Sequence, residues 1–269
     1  LNEINEGRGP VYFKLSHLPE DTLDVIEEGV FTVERPTMKQ FYESRGTDIR
    51  KDLIEIRLSE VYMEGGHGMA GLATNEKAET SIKGLYAAGD VVANPYGFIT
   101  AALVYGEIAA INALQYIGST PFPNIDYETV EKELYRINLP YERKQGIPPQ
   151  SFEYKIRRTV NEYLQPPKSE TKLMKALEYI NRLRKDIEYL VAEDSHGIMK
   201  VHEALSILDC FEMSVRASLE RKESRWGLMH MRTDFQKRDD EKYFGFIVVK
   251  KDRIGSMETS IRKLGKNTK

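Results

Sequence analysis

The stretch from Ser81 to Leu114, SIKGLYAAGDVVANPYGFITAALVYGEIAAINAL, constrains the fold more than any other part of the chain. Its apolar run Gly84-Leu85-Tyr86-Ala87-Ala88 stops at Gly89-Asp90 and crosses a turn bearing glycine and proline. It then enters a small-residue segment whose pattern predicts a helix from about Phe98 to Tyr116. The expectation is a buried strand that delivers a carboxylate to the mouth of a helix. A helix N-terminus carries unpaired N–H groups and partial positive charge, which suit an electron-rich ring or a phosphate. Asp90 beside it can accept hydrogen bonds from sugar hydroxyls, and Gly89 and Gly97 let backbone approach a ligand closely. These residues alone fit an ordinary strand–helix unit with a capping aspartate equally well.

Composition narrows the choice of partners. With 39 basic and 42 acidic residues there is no cationic excess, which excludes the electrostatic footprint of a nucleic-acid binder. Cys210 is the only cysteine, so neither an internal disulfide nor a Cys-ligated iron–sulfur cluster can belong to this chain alone. No apolar run reaches the length of a bilayer span and the N-terminus carries no signal core, so a cytoplasmic location is expected, with any membrane association made through a partner. No Gly-x-Gly-x-x-Gly turn opens a helix in the N-terminal part, as pyrophosphate binding requires. The expectation is the C-terminal part of a longer polypeptide, or one fragment of a cleaved one.

Ser81 and Gly84 to Asp90 resemble, without gaps, the second flavin-binding motif of the fumarate reductase and succinate dehydrogenase flavoprotein superfamily. The resemblance implies FAD as cofactor, Asp90 on its ribityl chain, and the backbone from Gly97 through Phe98 and Ile99 to Thr100 at the pyrimidine end of the isoalloxazine. A second block, SLERKESRWGLMHMRTDFQKRDD from Ser218 to Asp240, is similar to the signature of the family's helical C-terminal domain. Arg221, Glu223, Ser224, Arg225, Asp234, Phe235, Arg238, Asp239 and Asp240 match it, while Gln236 replaces a proline. Trp226 after the arginine and the longer spacing to Asp234 are similar to the adenylylsulfate reductase alpha branch. The same spacing weakens transfer of family roles to His230 and Arg232.

Gly65-Gly66-His67-Gly68-Met69-Ala70-Gly71 places four glycines around one histidine, a loop with little side-chain bulk from which an imidazole can enter a cavity. Gly66-His67 resembles the Gly-Ser-His of the adenylylsulfate reductases, which implies that His67 faces the substrate. The dehydrogenases follow the acidic residue with a loop whose arginine grips a carboxylate. Here Asn94-Pro95-Tyr96-Gly97-Phe98 has no arginine, which argues against succinate or fumarate.

Earlier, Gly7-Arg8-Gly9-Pro10 reads as a turn, Val11 to Leu15 as a strand, and Pro19 to Glu28 and Met38 to Arg45 as short helices. This order resembles the end of a capping domain. Arg8 in its Gly/Pro turn reads as structural. Residues 53 to 64 alternate as a strand, and Thr74 to Glu79 as a hairpin loop. Beyond the Gly/Ser/Thr/Pro stretch at 118–124 the chain is helical. Asp126 caps one helix to Asn138, prolines from Pro140 onward punctuate links, and Leu173 to Leu190 and Leu205 to Leu219 repeat at helical spacing. These two helices are expected to pack antiparallel with Cys210 in the core. Phe244 to Lys250 reads as a strand, and Arg262 to Lys269 as a loose basic tail.

The fold class expected is α+β: the end of a capping domain (1–52), the C-terminal part of a Rossmann-like FAD-binding domain (53–118), and a helical C-terminal domain with a long helical hairpin (119–269). The function implied by the resemblance is that of the flavoprotein subunit of an FAD-dependent oxidoreductase with a small-molecule substrate. Its partners are then the missing N-terminal FAD-binding half, in the same polypeptide or a separate chain, and an iron–sulfur subunit for electron transfer. The alternatives are a fumarate reductase-like enzyme with another carboxylate grip, and a helical interaction module with a vestigial flavin motif.

Overall fold

The computed structural model describes residues 2–56, 70–93, 98–225, 230–252 and 255–264. They divide into two compact units, Leu1–Val61 and Tyr62–Lys269.

In the first unit, helix α1 (Asn2–Asn5) precedes strand β1 (Val11–Lys14), which pairs antiparallel with β2 (Leu53–Ile56) in the register Val11 to Ile56. Between them, α2 (Glu20–Val25) runs on as a wider π-helical stretch, Ile26–Glu34, and α3 (Pro36–Glu43) begins with proline in its first turn, where its missing N–H costs nothing. Glu20, Asp24 and Glu27 recur at helical spacing and would repel one another. Arg50 gathers all three, with Nη2 2.8 Å from Asp24 and 2.7 Å from Glu27 and Nη1 on Glu20. Leu23, Phe31 and Ile49 are buried beneath.

In the second unit, residues 70–93 form rungs rather than strands. Leu72 bridges Val92 in parallel, Glu79 bridges Tyr86 antiparallel, and Ala87 N–H donates to Ala78 O at 3.0 Å. The continuous strand expected over Gly84 to Ala88 is thus a single bridge: among the described residues the second ladder that would extend it is missing. Helix α4 (Phe98–Ser119) follows as predicted. It rests on this segment through Tyr116, which fills the space above Gly84 (φ +82°), where a Cβ would sit 2.8 Å from the ring.

The helical part is α5 (Tyr127–Glu142), α6 (Pro149–Tyr163), α7 (Glu170–Asp186) and α8 (Ser195–Glu220). Asp126, Ser169 and Asp194 cap three of them by accepting first-turn N–H groups. Pro140 does not mark a link: it lies buried in the last turns of α5, and its carbonyl accepts from Ala192 N–H at 2.9 Å. Helices α6, α7 and α8 enclose the core, with Phe152, Ile156, Leu173, Ala176, Ile180, Val201, Ala204, Leu208, Phe211 and Val215 fully buried. Each large member contributes about 1.5–3 kcal/mol of hydrophobic stabilisation. The α7–α8 hairpin is antiparallel, since Lys168 just before α7 reaches Ser218 while Arg184 near its end reaches Asp209 and Glu212. Cys210 is exposed rather than in the core, because Leu208 and Phe211 take the inward positions of that turn.

A short α9 (Asp240–Tyr243) leads to a two-stranded antiparallel sheet, β3 (Gly245–Lys251) with β4 (Met257–Lys263), in the register Gly245 to Lys263. Arg262 and Lys263 therefore belong to a strand and not to a loose tail. No helix among the described residues is long and apolar enough to cross a membrane.

Candidate functional site

Ala88 is extended (φ −148°, ψ 162°), and the chain then turns sharply through a single 3₁₀ turn, Gly89–Val91, closed by Val92 N–H on Gly89 O at 3.0 Å. Gly89 has φ +77°, a backbone state that costs a residue with a Cβ about 1–2 kcal/mol. Space is not what selects glycine there, since a Cβ would sit 3.6 Å from that of Ala102, an ordinary contact. The turn leaves Asp90 exposed, and its carboxylate makes no hydrogen bond or ion pair among the described residues. It packs against the first turns of α4, where Ala101 is buried and Ile99 and Thr100 face outward. Tyr86 Oη donates to Asn112 O at 3.3 Å, fixing the helix further along. The structure therefore brings together Gly89, Asp90 and the start of α4, and leaves a free acceptor beside the positive end of a 22-residue helix.

Gly66, His67 and Gly97 lie outside the described residues, as does the side chain of Phe98. Gly66 to Gly71 carries the Gly-x-Gly-x-x-Gly spacing, but the chain beyond it forms the 70–93 bridges and not a helix, so no helix N-terminus stands behind it. Arg8 is exposed and held by Glu3, 2.5 Å from Nε, and by Glu6. Its partners are local carboxylates, in keeping with a structural role. Among the described residues no His/Cys/Asp/Glu group is arranged to hold a metal.

Outside residues 226–229, the Ser218 to Asp240 block carries a cluster of buried charged side chains. Glu223 is fully buried between two arginines: Arg221 Nη1 donates to it at 2.7 Å, and Arg225 at 2.6 and 2.9 Å from Nε and Nη2. The Asp239 N–H adds a third donor at 2.7 Å. Burial alone would raise the Glu223 carboxyl, but these hydrogen bonds outweigh it and hold it below the usual range. Arg221 also donates to the carbonyls of Tyr243 and Gly245, tying the end of α8 to β3. Arg232, 1% exposed, forks onto Asp234 at 2.8 and 2.7 Å, and this pairing brings Asp234 down to about 2. His230 is buried and donates from Nε2 to Arg221 O at 3.0 Å. Burial first and the Lys168 charge second lower it to about 4, so the ring is neutral. Lys168 itself was not singled out from the sequence. It is buried, donates from Nζ to Ser218 Oγ at 3.0 Å, and is lowered to about 8 by burial and by the Arg232 charge. All these arginines and His230 are held by internal partners, so the cluster joins the start of α7, the end of α8 and β3, and among the described residues it offers a substrate no cation without a partner.

Comparisons with known proteins match the two ends of the chain to different family profiles. A profile described as "Fumarate reductase flavoprotein C-term" matches residues 153–268, and one described as "FAD binding domain" matches residues 1–101. An uncharacterized FAD-dependent oxidoreductase of Methanocaldococcus jannaschii is 31% identical over 92% of this chain and 44% of its own. A fumarate reductase (CoM/CoB) subunit of Methanothermobacter marburgensis is 27% identical over 87% of this chain and 42% of its own. The chain thus spans less than half the length of these relatives. Among solved structures, adenylylsulfate reductase from Archaeoglobus fulgidus superposes with a TM-score of 0.79 at 24% identity, covering 98% of this chain and 49% of that one, a likeness of fold.

Proposed function

We propose, from the matches to the fumarate reductase flavoprotein and FAD-binding profiles and from the 31%-identical oxidoreductase, that the chain belongs to the fumarate reductase and succinate dehydrogenase flavoprotein superfamily and forms part of an FAD-dependent oxidoreductase. The observation that carries the reading is the left-handed turn at Gly89, which sets the unpaired Asp90 carboxylate beside the start of α4 inside the segment matched by the FAD-binding profile. In this reading residues 1–52 end a capping domain, 53–118 form the C-terminal part of the flavin domain and 119–269 the helical domain.

FAD, when bound, supplies the two-electron chemistry. Asp90 accepts hydrogen bonds from the ribityl hydroxyls, and Gly89 lets the backbone come close. The N–H groups from Gly97 through Phe98 and Ile99 to Thr100 favour negative charge at the pyrimidine end. His67 faces the substrate and holds or delivers a proton there. If the enzyme exchanges electrons with an iron–sulfur cluster, that cluster would belong to a partner subunit, because this chain has a single cysteine. The absence of arginine from the 94–98 loop and the Trp226 spacing favour an adenylylsulfate-type substrate over a dicarboxylate. The 27% identity to a fumarate reductase component keeps a dicarboxylate enzyme, with its arginine supplied from elsewhere, as the second reading.

The test is an absorption spectrum of this chain purified with the polypeptide that completes it, before and after dithionite. A flavin band that bleaches, and that is weakened by Asp90→Ala, supports the reading. Turnover of adenylylsulfate with sulfite, against fumarate, then separates the two substrates. A colourless complex that takes up no added FAD overturns it.

A further inference from the structure

The register of the C-terminal hairpin decides which way its backbone groups point. Leu264 N–H donates to Phe244 O at 3.1 Å and Asp252 N–H to Ser256 O at 2.8 Å, so the even-numbered residues of β3 exchange hydrogen bonds with β4. The odd-numbered ones turn theirs outward, along the free edge of a two-stranded sheet. Arg221 occupies the start of that edge, with Nη1 on Tyr243 O at 2.9 Å and Nη2 on Gly245 O at 2.6 Å. Beyond it, the N–H and C=O groups of Ile247 and Val249 have no hydrogen-bond partner among the described residues. Their side chains lie on the α8 face, since Thr259, opposite Val249, reaches Glu220 at the end of α8. Phe246, Val248 and Lys250 line the other face. Charge is uneven as well: residues 241–269 hold eight Lys and Arg against three Asp and Glu, in a chain of net charge −3. Lys250 and Lys251, both exposed, stand at the end of the open edge and make no ion pair among the described residues.

We propose that the outer edge of β3 is a docking site for an extended acidic segment of a partner protein. That segment adds as a third strand beside Ile247 and Val249 and sets its carboxylates against Lys250 and Lys251. The inference stands apart from the flavoprotein reading, since it uses neither the Gly89 turn nor a cofactor. Unpaired N–H and C=O groups are satisfied by another main chain at ladder spacing, which a lipid surface does not offer, so a membrane fits the charge but not the edge. A second copy fits the edge but not the charge, because pairing two β3 edges brings both pairs of lysines onto one sheet. The outer edge of β4 is the poorer seat for an acidic strand, because Glu258 stands within it and is exposed.

The probe is a fluorescein-labelled peptide of alternating Glu and Val, about eight residues long, the length of a strand. Mixed with the full chain, it should bind, weaken as salt rises, and slow amide exchange at Ile247 and Val249 about tenfold or more, while Phe246 and Val248, already in the ladder, change little. Val249→Pro removes an outward N–H and leaves the β3–β4 ladder its bonds, so it should abolish binding with the Val248 amide still protected. Lys250→Glu together with Lys251→Glu spares the backbone and should weaken binding about tenfold or more, and a peptide with Lys in place of Glu should not bind. No binding of the acidic peptide, or binding that leaves the Ile247 and Val249 amides exchanging as before, overturns the proposal. Protection of those amides in peptide-free chain at twice its mass overturns it in favour of a second copy. Capture by phosphatidylglycerol vesicles in place of the peptide, with the amides still exchanging, overturns it in favour of a membrane face.

Discussion

Replacing Lys168 with methionine removes a buried charge while keeping most of its aliphatic stem. The backbone anchors survive, because Lys168 N–H on Met231 O (2.8 Å) and Thr233 N–H on Lys168 O (2.9 Å) do not involve the side chain. Burial and the Arg232 charge bring the ammonium from 10.5 to about 8, which at about 1.4 kcal/mol per factor of ten corresponds to roughly 3 kcal/mol against the charged form. The folded value lies below the unfolded one, so unfolding takes up a proton between pH 8 and 10.5 and stability rises with pH across that window. Below pH 8 the full penalty is present. Lys168→Met should therefore stabilise the chain at neutral pH by about 2 kcal/mol, after losing about 1 kcal/mol of hydrogen bond to Ser218. The advantage should vanish by pH 10.5. His230 gives an independent readout. It is held at about 4 against 6.5 unfolded, so stability is lost as pH falls from 6.5 through 4, and removing the Lys168 charge raises the folded value and reduces that loss. Urea midpoints followed by circular dichroism across this pH range measure both effects. Equal stability at neutral pH, or an advantage that does not shrink as pH rises, refutes the reasoning.

Glu223→Gln leaves Arg221 and Arg225 without their shared buried counter-charge and should destabilise the helical part by about 3–5 kcal/mol in urea titrations; a loss below about 1 kcal/mol would show that the pair is dispensable. Tyr243 is buried and, among the described residues, its hydroxyl has no partner at hydrogen-bond distance, so Tyr243→Phe should leave the melting temperature unchanged or raise it, by up to about 1 kcal/mol in stability; a clear fall would show that the hydroxyl interacts with the neighbouring Lys242 ammonium. Gly89→Ala must hold alanine at φ +77°, a cost of about 1–2 kcal/mol confined to the turn. It should lower flavin occupancy of the completed protein and exchange protection of Val92 N–H while the helical bundle melts as before; unchanged occupancy would sink the role given to this turn.

The helical core was legible because its information is local. Of the repeat Leu173, Leu177, Ile180, Leu183, Ile187 and Leu190, four are buried in the core and Leu177 and Ile187 pack against it, and Asp126 caps its helix as expected. Where the reading failed, partners far along the chain decide the outcome. Pro-Pro-Lys-Ser at 166–169 reads as a link, yet Lys168 is buried by Ser218, fifty residues away, and by the 230–233 segment. Pro140 lies inside a helix, and its carbonyl accepts from Ala192 N–H far along the chain. The Gly84 to Ala88 strand fails for a related reason: a strand of small residues has little stability without a ladder on each side, and the described residues supply a single rung. The Gly89-Asp90 turn nevertheless keeps its shape without that sheet, since a left-handed glycine and one 3₁₀ bond are enough to define it. What the 70–93 segment does show is local: among the described residues its ladder is reduced to isolated bridges, and the Asp90 carboxylate beside them makes no hydrogen bond or ion pair, so the turn's shape is set by its own backbone and not by contacts from far along the chain.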